Sequence, residues 1–210
     1  SQPFTLAAID QTISDKNLTG TVGLNYTPND DSLIYASISQ GQKSGGFFSG
    51  LATDPRQLLP YDPEKLTSYE LGVKLALLQR SLQVNMSGFY YDYRDIQTFK
   101  RSTVGFIPIQ ILGNVDEATI MGIDADVAWR PTQDLTLQAA IGILDSELGE
   151  FVNAAGVVQN GNQMPNAPKF SFKGSASYDV HLPNDYVAQI TFQPSHATSA
   201  ATSSGLPVLP

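Results

Sequence analysis

"YASISQGQKSGGF" (residues 35–47) can be read in two ways, and the choice between them decides the fold. It is either a glycine-rich phosphate cradle around Lys43 and Ser44, or a β-strand running out into a Gly/Ser loop. A G-x-x-x-x-G-K-[ST] cradle needs its lysine directly after the last glycine, so that successive backbone N–H groups wrap the phosphates. Here Gln42 separates Gly41 from Lys43, and Ser37 fills the place of the first glycine. The residues that follow, "FFSGLATDPRQLLPYDPEK", carry three prolines and no helical period. The strand reading stands, and the rest of the chain extends it.

Alternation runs outward in both directions. Upstream, Leu18, Val22, Leu24 and Tyr26 alternate with Thr19, Thr21 and Asn25, and the Asx-rich turn "TPNDDS" leads to Ile34, Ala36 and Ile38. Downstream, Tyr69, Leu71, Val73 and Leu75 form one face, then Leu82, Val84 and Met86, with the aromatic run "FYYDYRD" at that strand's end. Further runs carry Ile123 to Trp129, Leu135 to Ile143, Phe170 to Tyr178 and Tyr186 to Phe192. Period-2 patterning of this kind marks eight β-strands. Short turns begin near Thr27, Leu78, Arg130 and His181, and longer connections at 43–66, 100–113 and 146–164 alternate with them. Short turns at one end and long loops at the other are the habit of an outer-membrane barrel, whose strands of about 9–11 residues cross a bilayer at a tilt.

Composition fits this reading. The chain has 210 residues, no cysteine and a formal net charge of −8, which excludes a disulfide framework, a thiolate metal site and a basic nucleic-acid face. Charged residues make up 15%, against about a quarter in an ordinary soluble domain. No apolar run is long enough for a transmembrane helix, which says nothing against barrel strands. "SQPFTLAAID" lacks the charged start and apolar core of a signal peptide. On each strand one face is apolar and the other is mostly Ser, Thr, Asn, Gln and Gly. The charges Glu70, Lys74, Asp124, Asp126 and Lys173 keep to the polar face, as residues lining a lumen would. Tyr90, Tyr91, Tyr93 and Trp129 lie at strand ends, where amphipathic rings suit a membrane interface.

The segments "YASISQGQKSGGF", "LTSYELGVKLALLQRSLQVNMSGFYYDYRDIQ", "GIDADVAWRPTQDLTLQAAIGILDSE" and "MPNAPKFSFKGSASYD" together resemble the C-terminal barrel of TonB-dependent outer-membrane receptors of the siderophore-receptor type. The resemblance covers about residues 17–193. It implies a barrel of 22 strands around an N-terminal plug, import of a ferric siderophore or similar large solute, and energy supplied by the TonB complex through the parent receptor. Residues 1–16 then read as a loop remnant, 17–193 as a partial barrel, and 194–210 as an irregular tail from a shifted frame, a premature end or disorder. A curved open antiparallel sheet follows, in contact with outer-membrane lipid, the plug and the remaining strands. A closed eight-stranded barrel is the alternative on strand count.

Little chemistry competes with this. Asp124 and Asp126 stand two apart on one face, a thin cation site and a better ionic partner for plug arginines. "GNVDE" (113–117) reads as the start of a strand with solvated acids. His181 and His196 lack a carboxylate or serine at useful spacing, so neither an enzyme nor a cofactor is expected. Lys43, Arg56, Lys100 and Arg101 are the loop cations for an anionic chelate. A soluble or surface-displayed β-sandwich for binding or adhesion is the reading from a different class.

Overall fold

The computed structural model describes residues 11–14, 16, 18–50, 52–149, 151–152, 158–159, 163–164 and 167–198. The wall consists of β1 (Gly20–Asn29), β2 (Ser32–Lys43), β3 (Glu64–Leu77), β4 (Leu82–Val104), β5 (Ile107–Trp129) and β6 (Leu135–Leu148). A two-stranded ribbon, β7 (Phe151–Val152) with β8 (Val158–Gln159), stands apart from it. The wall resumes with β9 (Phe170–His181), β10 (Val187–Phe192) and β11 (Ser195–Ala197). Its strands lie in the order β1-β2-β3-β4-β5-β6-β9-β10, each antiparallel to the next, and β1 and β10 are not paired with one another. This is the open up-and-down sheet that the alternation predicts. Strand β2 ends at Lys43, and the described residues between it and β3 hold no α-helix but one 3-10 turn at Pro55–Leu58, so the phosphate-cradle geometry is absent.

Register keeps the two faces apart across the whole wall. Ile34 faces Val73, Val73 faces Met86, Met86 faces Ala125, Ala125 faces Ile141 and Ile141 faces Phe172. One row up, Leu71, Gly88, Ile123 and Ile143 are similarly aligned. These side chains cover nothing: Ile123 is 51% exposed and Leu71 62%. Buried hydrophobic residues among the described ones are only Ile109, Val115 and Ala118. A β-sandwich would bury such rows against a second sheet. No such sheet exists among the described residues, which removes that alternative.

Three expectations are corrected. The 100–113 connection is not a loop: β4 and β5 run on as a paired hairpin to Val104 and Ile107, turning through Gly105 at φ 60°. Gly105 and Pro108 read as loop punctuation in the sequence, but the β-branched residues Thr103, Ile107, Ile109 and Ile111 keep the strands extended. "GNVDE" accordingly lies inside β5. Strand structure also continues past Phe192. Phe192 faces Ala176 and His196 faces Phe172 in one unbroken register, with the Gly174 N–H donating to the Pro194 carbonyl at 2.9 Å. Pro194 returns no bond, as expected of a proline on an edge strand. Most of the remaining tail, from 199 onward, lies outside the described residues.

The short turns differ in how they meet their backbone demands. Asn184 and Asp185 take φ of 65° and 59°, which short polar side chains tolerate. Leu78, Gln79 and Arg80 are left-handed too, at 50°, 57° and 69°, without glycine or Asx chemistry. Each such residue costs roughly 1–2 kcal/mol. The turn is closed by Ser81 N–H and Oγ on the Leu78 carbonyl, and by Arg80 reaching Asp31 of the neighbouring turn at 2.7 Å. Gln79→Gly is therefore expected to raise the unfolding midpoint in detergent, whereas Ser81→Gly lowers it.

Candidate functional site

Two regions hold the candidate residues: the polar face of the wall and the structure above its long-connection rim. On the polar face, Lys74, Asn85, Asp126, Ala140 and Lys173 form one cross-strand row, and Tyr35, Gly72, Ser87, Asp124, Gly142 and Ser171 the next. Tyr35 donates to Glu70 Oε1 at 2.6 Å, and Lys74 Nζ sits 5.8 Å from the centre of the same ring. Glycine at 72 admits that ring, since a Cβ there would stand 2.4 Å from it. Asn85 donates to Asp126 Oδ2 at 2.7 Å, and Asp124 lies over Gly142. Glu70, Lys74, Asp124, Asp126 and Lys173 thus share one face, but only Glu70 and Lys74 meet, at Tyr35, while Asp126 pairs with Asn85, so they form no single centre. No group of three or more His, Asp or Glu able to hold a metal ion occurs among the described residues.

The four aromatic candidates divide by face. Tyr90 is beside Tyr69 on the apolar face, rings 6.3 Å apart, and Trp129 faces Leu82 and Leu137 at the opposite rim. Between these limits the apolar parity carries no charge; Tyr90's own row reaches Asp145, paired with Lys169 at 3.2 Å, and above it come Asp92, Arg94 and Glu117. The apolar band is therefore bounded by an aromatic at each side, as a bilayer interface requires. Tyr91 and Tyr93 stand on the other parity, and Tyr91 stacks on Phe89 at 4.9 Å. The interface assignment is corrected for these two: a strand's period of two turns neighbours in "FYYDY" to opposite faces.

Above the rim, Lys43 closes β2 and Arg56 lies in the Pro55–Leu58 turn. Asp54 caps that turn, accepting from Arg56 N–H at 2.9 Å and from its Nε at 2.8 Å. These bonds from Arg56 hold the Asp54 carboxyl below the usual carboxylate range. Arg56 also donates to the Thr103 carbonyl of the hairpin at 3.2 Å. Lys100 and Arg101 belong to β4, opposite Ile111 and Gln110, rather than to a loop. Sequence reasoning missed Gln57, Gln97 and Asn114, which join residues 44–63 to the hairpin. Only the "DPRQ" capping box at Asp54–Gln57 advertises one of them. It also missed an exposed contact of 2.8 Å between His181 Nε2 and Asp134 Oδ1 at the short-turn rim. At 68% exposure of the His181 side chain this is a tie between neighbouring turns, not a catalytic pair.

Comparison with known proteins bears on this arrangement. The sequence profile of the TonB dependent receptor-like β-barrel family matches residues 3–205. The metal-pseudopaline receptor CntO of Pseudomonas aeruginosa is 29% identical over 153 residues, which are 73% of this chain and 20% of that protein. A probable TonB-dependent siderophore receptor, PiuA of Acinetobacter baumannii, is 26% identical over 165 residues, 72% of this chain and 21% of PiuA. Among solved structures, the ferric yersiniabactin uptake receptor FyuA of Yersinia pestis superposes with a TM-score of 0.64 at 18% identity. That match covers 84% of this chain and 29% of FyuA, and it shows the fold alone. The chain spans about a fifth of the length of the curated relatives it matches.

Proposed function

The chain belongs to the TonB-dependent receptor-like β-barrel family of the outer membrane, and from that premise we propose that it forms about eight strands of the wall of an energy-coupled receptor importing a ferric siderophore or similar large metal chelate. The observation that carries this is the apolar band of the wall, free of charge from Trp129 up to the row below Tyr90 and continuous across the eight strands, with a polar face behind it. Lipid meets the band. The plug and the remaining strands of a longer receptor meet the polar face and the open edges, because unpaired strand edges do not persist in hydrocarbon. Glu70, Asp124 and Asp126 offer carboxylates to cationic side chains of the plug. Lys43, Arg56, Lys100 and Arg101 lie toward the long-connection end of the wall and attract an anionic chelate. Energy comes from the TonB complex, acting on the longer receptor. The chain performs no chemistry on its cargo, in keeping with relatives that are named as receptors.

Uptake of radio-iron, presented in turn as catecholate, hydroxamate and mixed-donor chelates, tests the reading in cells whose only such receptor carries this sequence. Joint replacement of Lys43 and Arg56 by alanine is expected to lower uptake of one chelate class roughly tenfold or more, the size of losing a charge-assisted contact. Uptake that does not require the receptor would overturn the transport reading. Uptake that requires it but ignores both substitutions would remove the cations from it.

A further inference from the structure

We infer that the described residues between β2 and β3, 44–50 and 52–63, are not a lid: the side-chain amides of Gln57, Gln97 and Asn114 fasten them to the β4–β5 hairpin, so that strap and hairpin move as one platform. Beyond Arg94 and Glu117, β4 and β5 pair only with each other and rise about ten residues above their neighbours, roughly 30 Å of strand. A bare two-stranded ribbon of this kind is marginal in water. The strap supports it from the side.

Each amide contributes several bonds. Asn114 Nδ2 donates to the Asp62 carbonyl at 2.8 Å and to the Asp95 carbonyl at 2.6 Å, while its Oδ1 accepts from Asp62 N–H at 2.8 Å. Asp95 has φ 56°, so Asn114 braces the left-handed residue where the hairpin leaves the wall. Gln97 Nε2 points at the carbonyls of Ser44 and Asp62, at 2.9 and 3.1 Å, and its backbone N–H donates to Glu64 Oε2 at 2.9 Å. Gln57 is 7% exposed. Its Oε1 accepts from the N–H groups of Thr53 and Asp54, and its Nε2 donates to the Gln110 carbonyl at 2.9 Å. Inside the strap, Gly46 and Tyr61 exchange backbone bonds of 3.1 and 2.9 Å, and Phe48 meets Phe99 of the hairpin edge to face.

Apart from the exposed bond of Arg56 to the Thr103 carbonyl, the fastening is made of neutral groups. Amides hold no charge to lose with pH or to screen with salt, unlike the exposed Arg56–Asp54 pair. On this platform Arg56 keeps a fixed position relative to the hairpin. The inference does not rest on the transport reading, and the two fail on different measurements.

Hydrogen exchange read by mass spectrometry, on the whole polypeptide that carries this sequence in detergent, tests it. The N–H groups of Gly46, Tyr61 and Asp62 are expected to exchange slowly, at equal rates in low and high salt. Asn114→Asp keeps the acceptor but turns oxygen toward two carbonyls. Gln57→Glu keeps the turn's internal bonds but loses the donation to Gln110. Each variant should speed exchange in 44–63 roughly tenfold, the effect of about one lost hydrogen bond, with the β3–β4 pairing unchanged. Fast exchange of the strap in the unaltered protein, protection that collapses with salt, or variants that leave the strap protected would each overturn the inference.

Discussion

Ala125→Arg is expected to destabilise the inserted wall by about 2–4 kcal/mol, the cost of arginine on the lipid face near the bilayer midplane. Ala125 lies halfway between the Trp129 and Tyr90 limits of the apolar band, opposite Met86 on one side and Ile141 on the other. Its direct and diagonal neighbours on that face, Val84, Met86, Gly88, Ala139, Ile141 and Ile143, carry no charge, so no adjacent carboxylate can pair with the new guanidinium. A loss of this size is a large share of the stability of a typical protein. It should appear as a fall in the fraction of receptor that reaches the outer membrane folded, and in the urea midpoint of what does. Ser87→Arg is the matched control. Ser87 faces Gly72 and Asp124 on the polar side, where the same charge meets water and a carboxylate. Its midpoint should move little. Equal losses at both positions would show that the two faces are not solvated differently.

Gly122→Val is expected to be the most damaging glycine replacement in the wall. A Cβ at 122 would stand 2.5 Å from the backbone carbonyl of Ile143 and 2.6 Å from the Phe89 ring. The ring can swing aside, at the expense of its stack on Tyr91. The carbonyl cannot, because it belongs to the β5–β6 ladder. Overpacking of this kind costs about 1–3 kcal/mol, and the branched side chain places the effect at the upper end. Gly88→Val is the comparison, since a Cβ there would find its nearest neighbour, the Gly122 carbonyl, at 3.9 Å. It should retain a midpoint near that of the unaltered protein. If the two valine variants unfold together, the close approach at Gly122 is not what the residue serves.

Much of the wall was legible because its signal is local and repeated. Every strand from Leu18 to Phe192 shows its apolar face through period-2 alternation, and the Asx-rich turns at 29–32 and 182–186 announce themselves by composition. What was not legible came from long-range support. Strands β4 and β5 continue through Gly105 and Pro108 because they pair with each other and because the strap braces them, and a window of sequence sees neither. The turn at Leu78–Arg80 lacks glycine and so hides its left-handed backbone. Pro194 reads as a terminator, yet an edge strand can spare the missing donor. In the candidate site, the placement of Glu70, Asp124 and Asp126 on one face followed from parity alone. Tyr91 and Tyr93 show the reverse error, since grouping "FYYDY" by composition overrode the parity that separates its members. Gln57, Gln97 and Asn114 gave almost no signal because neutral amides are common and act here through backbone groups more than fifty residues away in sequence for Gln57.

The absence of cysteine makes the central claim directly measurable. Single cysteines placed in turn at 121 and at 123 to 128 would be labelled in intact outer membranes with a water-soluble maleimide, and separately scored for quenching of an attached fluorophore by lipid-borne quenchers. The account predicts strict alternation: positions 121, 123, 125 and 127 quenched from the lipid and unreactive toward the aqueous reagent, positions 124, 126 and 128 unquenched. Quenching spread evenly over both parities, or confined to the even positions, would contradict a wall that turns its Ile123 face to the membrane.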